Sequence, residues 1–449
     1  MPRDLPGMYW DEERQRYFPL SSKPAGTGGS AQVARPSAPP AAAETQWATQ
    51  PKRRRKRKLR EPDLESPPVC RDGHTFDNAP GLWPSFNVMR ESPSGTSWRR
   101  CIHHIQASYL SARAIESDSS GSHGGLPLDL GDIVTATSTR SDDIEDNNIW
   151  VGDGSGWLYS VNTQDPDSKW REFFLGTQIT SITRSGLTTL VTSLGSPARA
   201  LITRDQTLGL WLLREFPPNM CDDAWCGHVY GRTVVIGGRR GAVCFLDAEH
   251  DQYVRLRCQS DVFSVRFQNE DLMYIGMRNG AIERWDLRQP TNPPNSIVNI
   301  SEKKGGTGGA PVQHLRLIHQ YGLLVETMRG DLEIHDLRYL RGATPLLELE
   351  GHVSSYEHKL GFTIDTAEDF LFAGGGDCRL RAWSLRTGRA FHSSTGSLNF
   401  LAGSNPFRTT YPRPIRAIEI VPGQENTSLW LGSHTHLHRI QLGPNGILR

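Results

Sequence analysis

Beyond Leu126 the apolar residues fall into short runs that alternate with polar positions and stop at glycine, asparagine or aspartate. A period of two marks strands lying on a sheet face, and the punctuating residues mark turns. The clearest unit is Val262-Phe-Ser-Val-Arg-Phe267, then Leu272-Met-Tyr-Ile-Gly276, then Asn279-Gly280 and Ala281-Ile-Glu-Arg-Trp-Asp286. This predicts three strands joined by tight turns. The pattern recurs from Val312 to Asp336 and from Leu360 to Trp383. Weaker copies run from Ile149 to Val161, Ala200 to Leu213, Val234 to Leu246 and Ser428 to Ile440.

Aligned on their closing residues, Val161, Leu213, Leu246, Trp285, His335, Trp383 and Ile440, the copies step by 52, 33, 39, 50, 48 and 57 residues. A sheet unit of this kind has two apolar faces and cannot bury both alone. Stacking the units radially buries both and leaves only short edges. Seven units fit a ring of seven blades. Strands do not alternate with helices, which argues against a parallel α/β sheet.

The first part of the chain is patterned differently. Residues 1–20 carry charge throughout, with the aromatic pairs Tyr9-Trp10 and Tyr17-Phe18 flanking a charged link; these predict a short hairpin. Residues 21–96 are rich in Ala, Gly, Pro, Ser and Thr, too poor in bulky apolar surface to offset the entropy of ordering. Between 97 and 116, Ile102, Ile105, Tyr109, Ala112 and Ile115 recur every three or four residues, predicting one amphipathic helix.

Charge adds one feature. The chain has 50 Lys and Arg against 49 Asp and Glu, yet Lys52-Arg53-Arg54-Arg55-Lys56-Arg57-Lys58 is uninterrupted. On a flexible arm, such a run predicts nuclear import, with the cytoplasm as a second location. No aromatic residues are interleaved with it, so specific nucleic-acid recognition is not expected. No stretch has the roughly 18 apolar residues a membrane helix needs, and the N-terminus lacks the apolar core of a secretory signal. The expectation is a soluble, intracellular chain that does not engage membranes.

Candidate chemistry is sparse. The seven cysteines are scattered and odd in number, which predicts reduced thiols rather than a disulfide framework or a zinc site. His434, His436 and His438 could share one side of a strand but lack further ligands, and Gly305 to Gly309 lacks the ending of a phosphate loop. No nucleophile, base and orienting group cluster. The chain is expected to be non-catalytic, with no metal or cofactor.

The endings of three consecutive units carry a resemblance. Trp285-Asp286-Leu287-Arg288, His335-Asp336-Leu337-Arg338 and Trp383-Ser384-Leu385-Arg386 resemble WD repeats, over about 124–448. The fold this implies is all-β: a seven-bladed WD40-type β-propeller over 124–449, after a largely disordered N-terminal region with one short helix. The usual Gly-His opening is clear only at Gly351-His352, so the His-Asp network of strong repeats is expected to be mostly absent.

The same endings resemble the Trp-Asp-x-Arg box of WD-repeat substrate receptors of cullin-4 RING ubiquitin ligases. In that family the arginine meets the ligase's adaptor. The resemblance implies adaptor binding by Trp285, Asp286, Arg288, His335, Asp336, Arg338 and Arg386. Leu5-Pro6-Gly7-Met8-Tyr9-Trp10-Asp11 followed by Arg16-Tyr17-Phe18 resembles the opening of one DDB1- and cullin-4-associated factor family in that class. The implied partners are the adaptor and a client protein that the sequence does not name. The other reading is a nuclear WD-repeat scaffold in chromatin or ribosome assembly without a ligase.

Overall fold

The computed structural model describes residues 8–11, 16–19, 115–117, 128–139, 148–163, 169–203, 211–289, 295–299, 309–339, 344–391, 406–407, 409–421 and 426–444. The basic run 52–58, Leu5 to Gly7, the linker, residues 97–114 and Gly305 to Gly308 lie outside them. The chain divides into two units, 1–67 and 68–449.

In the first unit, Met8–Asp11 and Arg16–Pro19 pair antiparallel, with Tyr9 opposite Phe18 and Trp10 opposite Tyr17. Asp11 and Arg16 form the last pair of this expected hairpin.

The second unit is a seven-bladed propeller, and among its described residues there is no helix. Blades 1 to 5 span 134–174, 179–216, 226–257, 262–299 and 312–348, each a four-stranded antiparallel meander. Blade 6 has three strands within 362–384, and its outer position is held by Phe391 N donating to Ala382 O and Ser384 N to Arg389 O. In blade 7 (415–444), Ile115–Ser117 pairs with the last strand, His436–Pro444, Ile115 lying opposite Gln441. Leu128–Asp129 pairs with that strand too. A segment from before blade 1 therefore completes the sheet of blade 7 and caps an edge that would otherwise offer unpaired N–H and C=O groups. The helical spacing places Ile115 and Glu116 at the end of a helix, and the structure corrects this. Their extended state comes from pairing with residues more than 300 positions away, which local spacing does not register.

Register corrects two repeats, replacing Leu213 in blade 2 and Leu246 in blade 3 as the closing residue. Leu213 lies on the outer strand of blade 2, opposite Leu201, and the third strand is Ala198–Thr203. The residue equivalent to Trp285 is Thr203, paired with Thr189 as Trp285 pairs with Met273. In blade 3 it is Phe245, paired with Val234. The uneven steps of 52 and 33 become 42 and 42. In sequence the exposed outer strand passes for the buried third strand because both are β-rich.

What wedges the blades together is a glycine on the second strand. A Cβ on Gly152, Gly237, Gly276, Gly374 or Gly432 would lie 2.4–2.8 Å from Ile179, Val262, Val312, Ile415 or Val134, the residue that opens the next blade. Gly432 against Val134 is the closing contact between the last blade and the first. Each junction buries an apolar cluster. Between blades 5 and 6 it includes Ile318, Leu324, Ile334, Phe362, Leu371 and Trp383. Cys221, Cys226 and Cys244 are buried and unbridged, and Cys258 and Cys378 are half-buried and unbridged. Burial pushes the Cys221, Cys244 and Cys258 thiols up to about 12.

The expected scarcity of His-Asp networks has one local exception built from glutamate. His352 Nε2 lies 2.9 Å from Glu326 Oε1 in the preceding blade, and its ring meets Trp383 edge-on at 5.8 Å. The Trp383 indole N–H donates to Glu350 O at 2.8 Å.

Candidate functional site

The Asp-Leu-Arg endings build the same corner in consecutive blades. Asp286, Asp336 and Ser384 each pair with the first residue of their blade's second strand: Leu272, Gly322 and Phe370. The next residue then donates its N–H to the carbonyl before that strand: Leu287 to Asp271 at 2.7 Å, Leu337 to Tyr321 at 2.8 Å, Leu385 to Asp369 at 2.9 Å. Arg288, Arg338 and Arg386 follow immediately. Matching register in successive blades puts all three on one face, where the first-to-second and third-to-fourth strand loops emerge.

Each guanidinium is aimed by a carboxylate. Arg288 donates through Nε to Asp286 Oδ1 at 2.9 Å and through Nη2 to Oδ2 at 2.6 Å. Arg338 repeats this fork on Asp336 at 3.0 and 2.8 Å. The side chains of Arg288 and Arg338 remain 64% and 54% exposed, which leaves Nη1 directed at solvent or a partner. The fork holds the Asp286 carboxyl down at about 2 and lowers Asp336 likewise. Both pairs therefore stay ionised across the physiological range. A planar fork held this way loses less rotamer freedom when it meets a carbonyl or carboxylate.

Arg386 has serine at the aspartate position, and its carboxylate comes from Asp369, across the corner. Asp369 sits in the first-to-second strand loop of blade 6. That loop is organised by Asp365, whose Oδ1 accepts the N–H groups of Asp369 at 2.8 Å and Phe370 at 2.6 Å. Glu368 in the same loop accepts the N–H of His319 from blade 5. Around Arg338 and Arg386, Tyr321, Leu346 and Leu347 line a groove of about 440 Å³ between blades 5 and 6. Arg338 stacks on Tyr321 at 4.7 Å and on Tyr339 at 5.6 Å, and Tyr321, Tyr339 and Leu346 are exposed. Tyrosine and arginine over an apolar floor are the residue types that dominate binding energy at protein interfaces.

Two of the expected contact residues are placed elsewhere. Trp285 and His335 are 4% and 1% exposed, so neither offers surface to a partner. They occupy one structural position. The Trp285 indole N–H donates to Glu283 Oε2 at 3.1 Å, and His335 Nε2 lies 3.0 Å from Glu333 Oε2. A third-strand residue in a two-layer junction packs inward, and the corner after it turns outward. Sequence reasoning misses the tyrosines of the groove. Tyr339, directly after Arg338, is the available signal. Tyr321 reaches the site from the loop that precedes the blade's second strand, sixteen positions before the corner's Leu337. His434 lies in a turn with a φ of 56°, and the His436 and His438 rings are 6.4 Å apart. Among the described residues no cluster of His, Cys, Asp or Glu is placed to hold a metal ion.

Asp365 gives this site a pH signature. Burial, with a contribution from the charge of Asp369, raises its carboxyl to about 7 from the ordinary 3.8. The folded state then holds more protons than the unfolded chain between about pH 4 and 7. Its contribution to stability is present below that window and lost as pH rises through it. Asp365→Asn keeps an oxygen for both N–H groups and removes the charge. The variant is expected to be more stable than the parent at pH 8 and to lose that advantage at pH 4.5. Thermal unfolding of the two chains at both pH values measures this, and a pH-independent difference would refute it.

Comparison with known proteins agrees with this architecture. No family model matches the chain. The WD40 β-propeller domain of Doa1 superposes with a TM-score of 0.52 at 12% identity, covering 74% of this chain and 97% of that one. DDB1- and CUL4-associated factor 4 of Bos taurus is 24% identical over 420 residues, 86% of this chain and 78% of its own length. The chain is a WD-repeat β-propeller protein similar to DDB1- and CUL4-associated factor 4. An uncharacterised WD repeat-containing protein of Caenorhabditis elegans is 29% identical over 118 residues, covering 26% of this chain and 20% of its own length. The corners at Arg288, Arg338 and Arg386 are thus features of a WD-repeat ring, and the similarity to the bovine protein spans most of it.

Proposed function

We propose that this WD-repeat protein is a non-catalytic receptor that docks, through the arginine corners of blades 4 to 6, on the adaptor of a cullin-4 RING ubiquitin ligase and presents a client protein to it. The observation that carries the reading is the repeated corner: the same exposed, carboxylate-aimed guanidinium at the same register in consecutive blades. Isolated surface arginines are common, but a structural repeat of one aimed donor group along one face is suited to a partner with matching acceptors. The relative's name associates it with DDB1 and CUL4, which supports the choice of partner. The exposed Tyr321, Tyr339 and Leu346 supply apolar area beside the charges. The contribution to ubiquitin transfer is proximity, with the bond-making done by other subunits.

Purified full-length chain mixed with purified DDB1 is expected to elute as one complex on size exclusion. Separate elution at micromolar concentrations would sink the ligase reading and favour the nuclear scaffold.

Nuclear import by the basic run belongs to the same proposal. Replacing residues 52–58 with alanine is expected to move a fluorescent fusion from nucleus to cytoplasm, with unchanged thermal unfolding of the propeller. Unchanged nuclear accumulation would assign the run another use.

A further inference from the structure

The central channel of the propeller is lined by the innermost strands of all seven blades and encloses about 260 Å³. Its charge is lopsided. Arg184, Arg266, Arg316, Lys359 and Arg416 line it, and Glu419 is the one carboxylate among its described lining residues. The set is organised by register. His228, Arg266 and Arg316 pair with Val235, Tyr274 and Leu324, equivalent second-strand positions of blades 3, 4 and 5, so they form one tier. Glu419, opposite Trp430, stands on that tier in blade 7.

Arg266 donates from Nη1 to His228 Nε2 at 2.6 Å, which requires the imidazole to be neutral there and to carry its proton on Nδ1. His228 is 8% exposed, and that Nδ1 is buried with no hydrogen-bond partner, as is Nε of Arg416. Among the described residues, Arg266, Arg316, Lys359 and Arg416 have no carboxylate within ion-pair distance. Burial and the neighbouring Arg316 press Arg266 down to about 9, and burial lowers Arg316, Lys359 and Arg416 as well. Cations gathered this way repel one another and have lost part of their hydration, so they attract a counter-charge of matching size. At the exposed corners every arginine has its own carboxylate at hydrogen-bond distance; Arg266, Arg316, Lys359 and Arg416 in the channel do not, among the described residues.

We propose that the channel binds a compact phosphate-type anion, held by Arg266 and Arg316, with His228 Nδ1–H as a neutral donor and Lys359 and Arg416 facing it from blades 6 and 7. The volume suits a small anion rather than a peptide segment. Two guanidinium groups favour the tetrahedral oxygens of phosphate, to which they can donate in pairs. The site is separate from the docking corners and does not depend on their partner.

Inorganic pyrophosphate is the probe. Calorimetric titration of the full chain at fixed ionic strength is expected to show a single saturable site and a matching rise in unfolding midpoint. Arg266→Gln with Arg316→Gln is expected to weaken binding by roughly 100-fold, about tenfold for each guanidinium removed. Without pyrophosphate that variant should unfold at the same temperature as the parent or higher, because mutual repulsion is relieved. If it does not fold, Arg416→Gln is the substitute, with about tenfold weakening. A chain with alanine at 52–58 should keep the site. The proposal is overturned if the parent gives neither heat nor a midpoint shift at millimolar pyrophosphate, or if chloride at equal ionic strength does the same. Binding that survives loss of the channel arginines, or vanishes with the basic run alone, overturns it too.

Discussion

Changing Arg288 and Arg338 together to alanine is expected to abolish capture of the ligase adaptor while the ring stays folded. Both guanidinium groups are more than half exposed, and each is already oriented by an aspartate two residues earlier. Truncation therefore removes an aimed donor without opening the core. Deleting two charge-assisted donors at once should weaken binding by roughly 10²-fold or more if their effects add. Exposed substitutions of this kind shift the unfolding midpoint by about 1–2 °C at most. The measurement is titration of DDB1 with parent and double variant, beside thermal unfolding of each. Equal affinities would remove the corners from the interface even if the adaptor is bound. Arg386 is the wrong residue for this test. Its partner Asp369 is 5% exposed at the side chain, so Arg386→Ala strands a buried carboxylate and disturbs the loop that also carries Glu368.

The largest stability effect is expected at Trp383. The side chain is fully buried between blades 5 and 6, packs within a cluster drawn from both, and donates its indole N–H to Glu350 O. Trp383→Ala leaves a cavity that the surrounding leucine, isoleucine and phenylalanine side chains cannot fill. It should cost about 3–5 kcal/mol, seen as a lower urea midpoint. Trp383→Phe keeps most of the apolar volume and loses the hydrogen bond, at a cost nearer ~1 kcal/mol. The groove holding Arg338 and Arg386 rests on this junction, so the alanine variant should also bind the adaptor less well than the phenylalanine variant. Equal stability of the two variants would mean that the aromatic volume does not hold the junction.

Much of this molecule is local in origin. Each blade's inner strands are short, alternate in polarity and are closed by tight turns, so their number and order can be read along the chain. The two Asp-Leu-Arg corners are legible for the same reason. Aspartate and arginine two residues apart form their fork within one turn, and the pair needs nothing from elsewhere.

Pairings between distant segments are not legible. Leu213 passes for a third-strand residue because an exposed outer strand and a buried third strand have similar residue types, and only register separates them. Ile115 and Glu116 fit a helical stripe, yet they complete the last blade, since closing the ring gives their backbone partners that a helix end would lack. Trp285 and His335 share a motif with exposed arginines but point into the junction.

An all-β ring of seven repeats and the arginine corners are legible along the chain, because hydrophobic period, turn residues and a two-residue ion pair act over a few positions. Which strand closes the ring, the stacking of Tyr321 on Arg338, and the convergence of Arg266, Arg316, Lys359 and Arg416 on one channel follow from the folded ring alone. Those outcomes bring together residues from different blades, and charges scattered along a nearly neutral chain become a site only when ring closure sets them side by side.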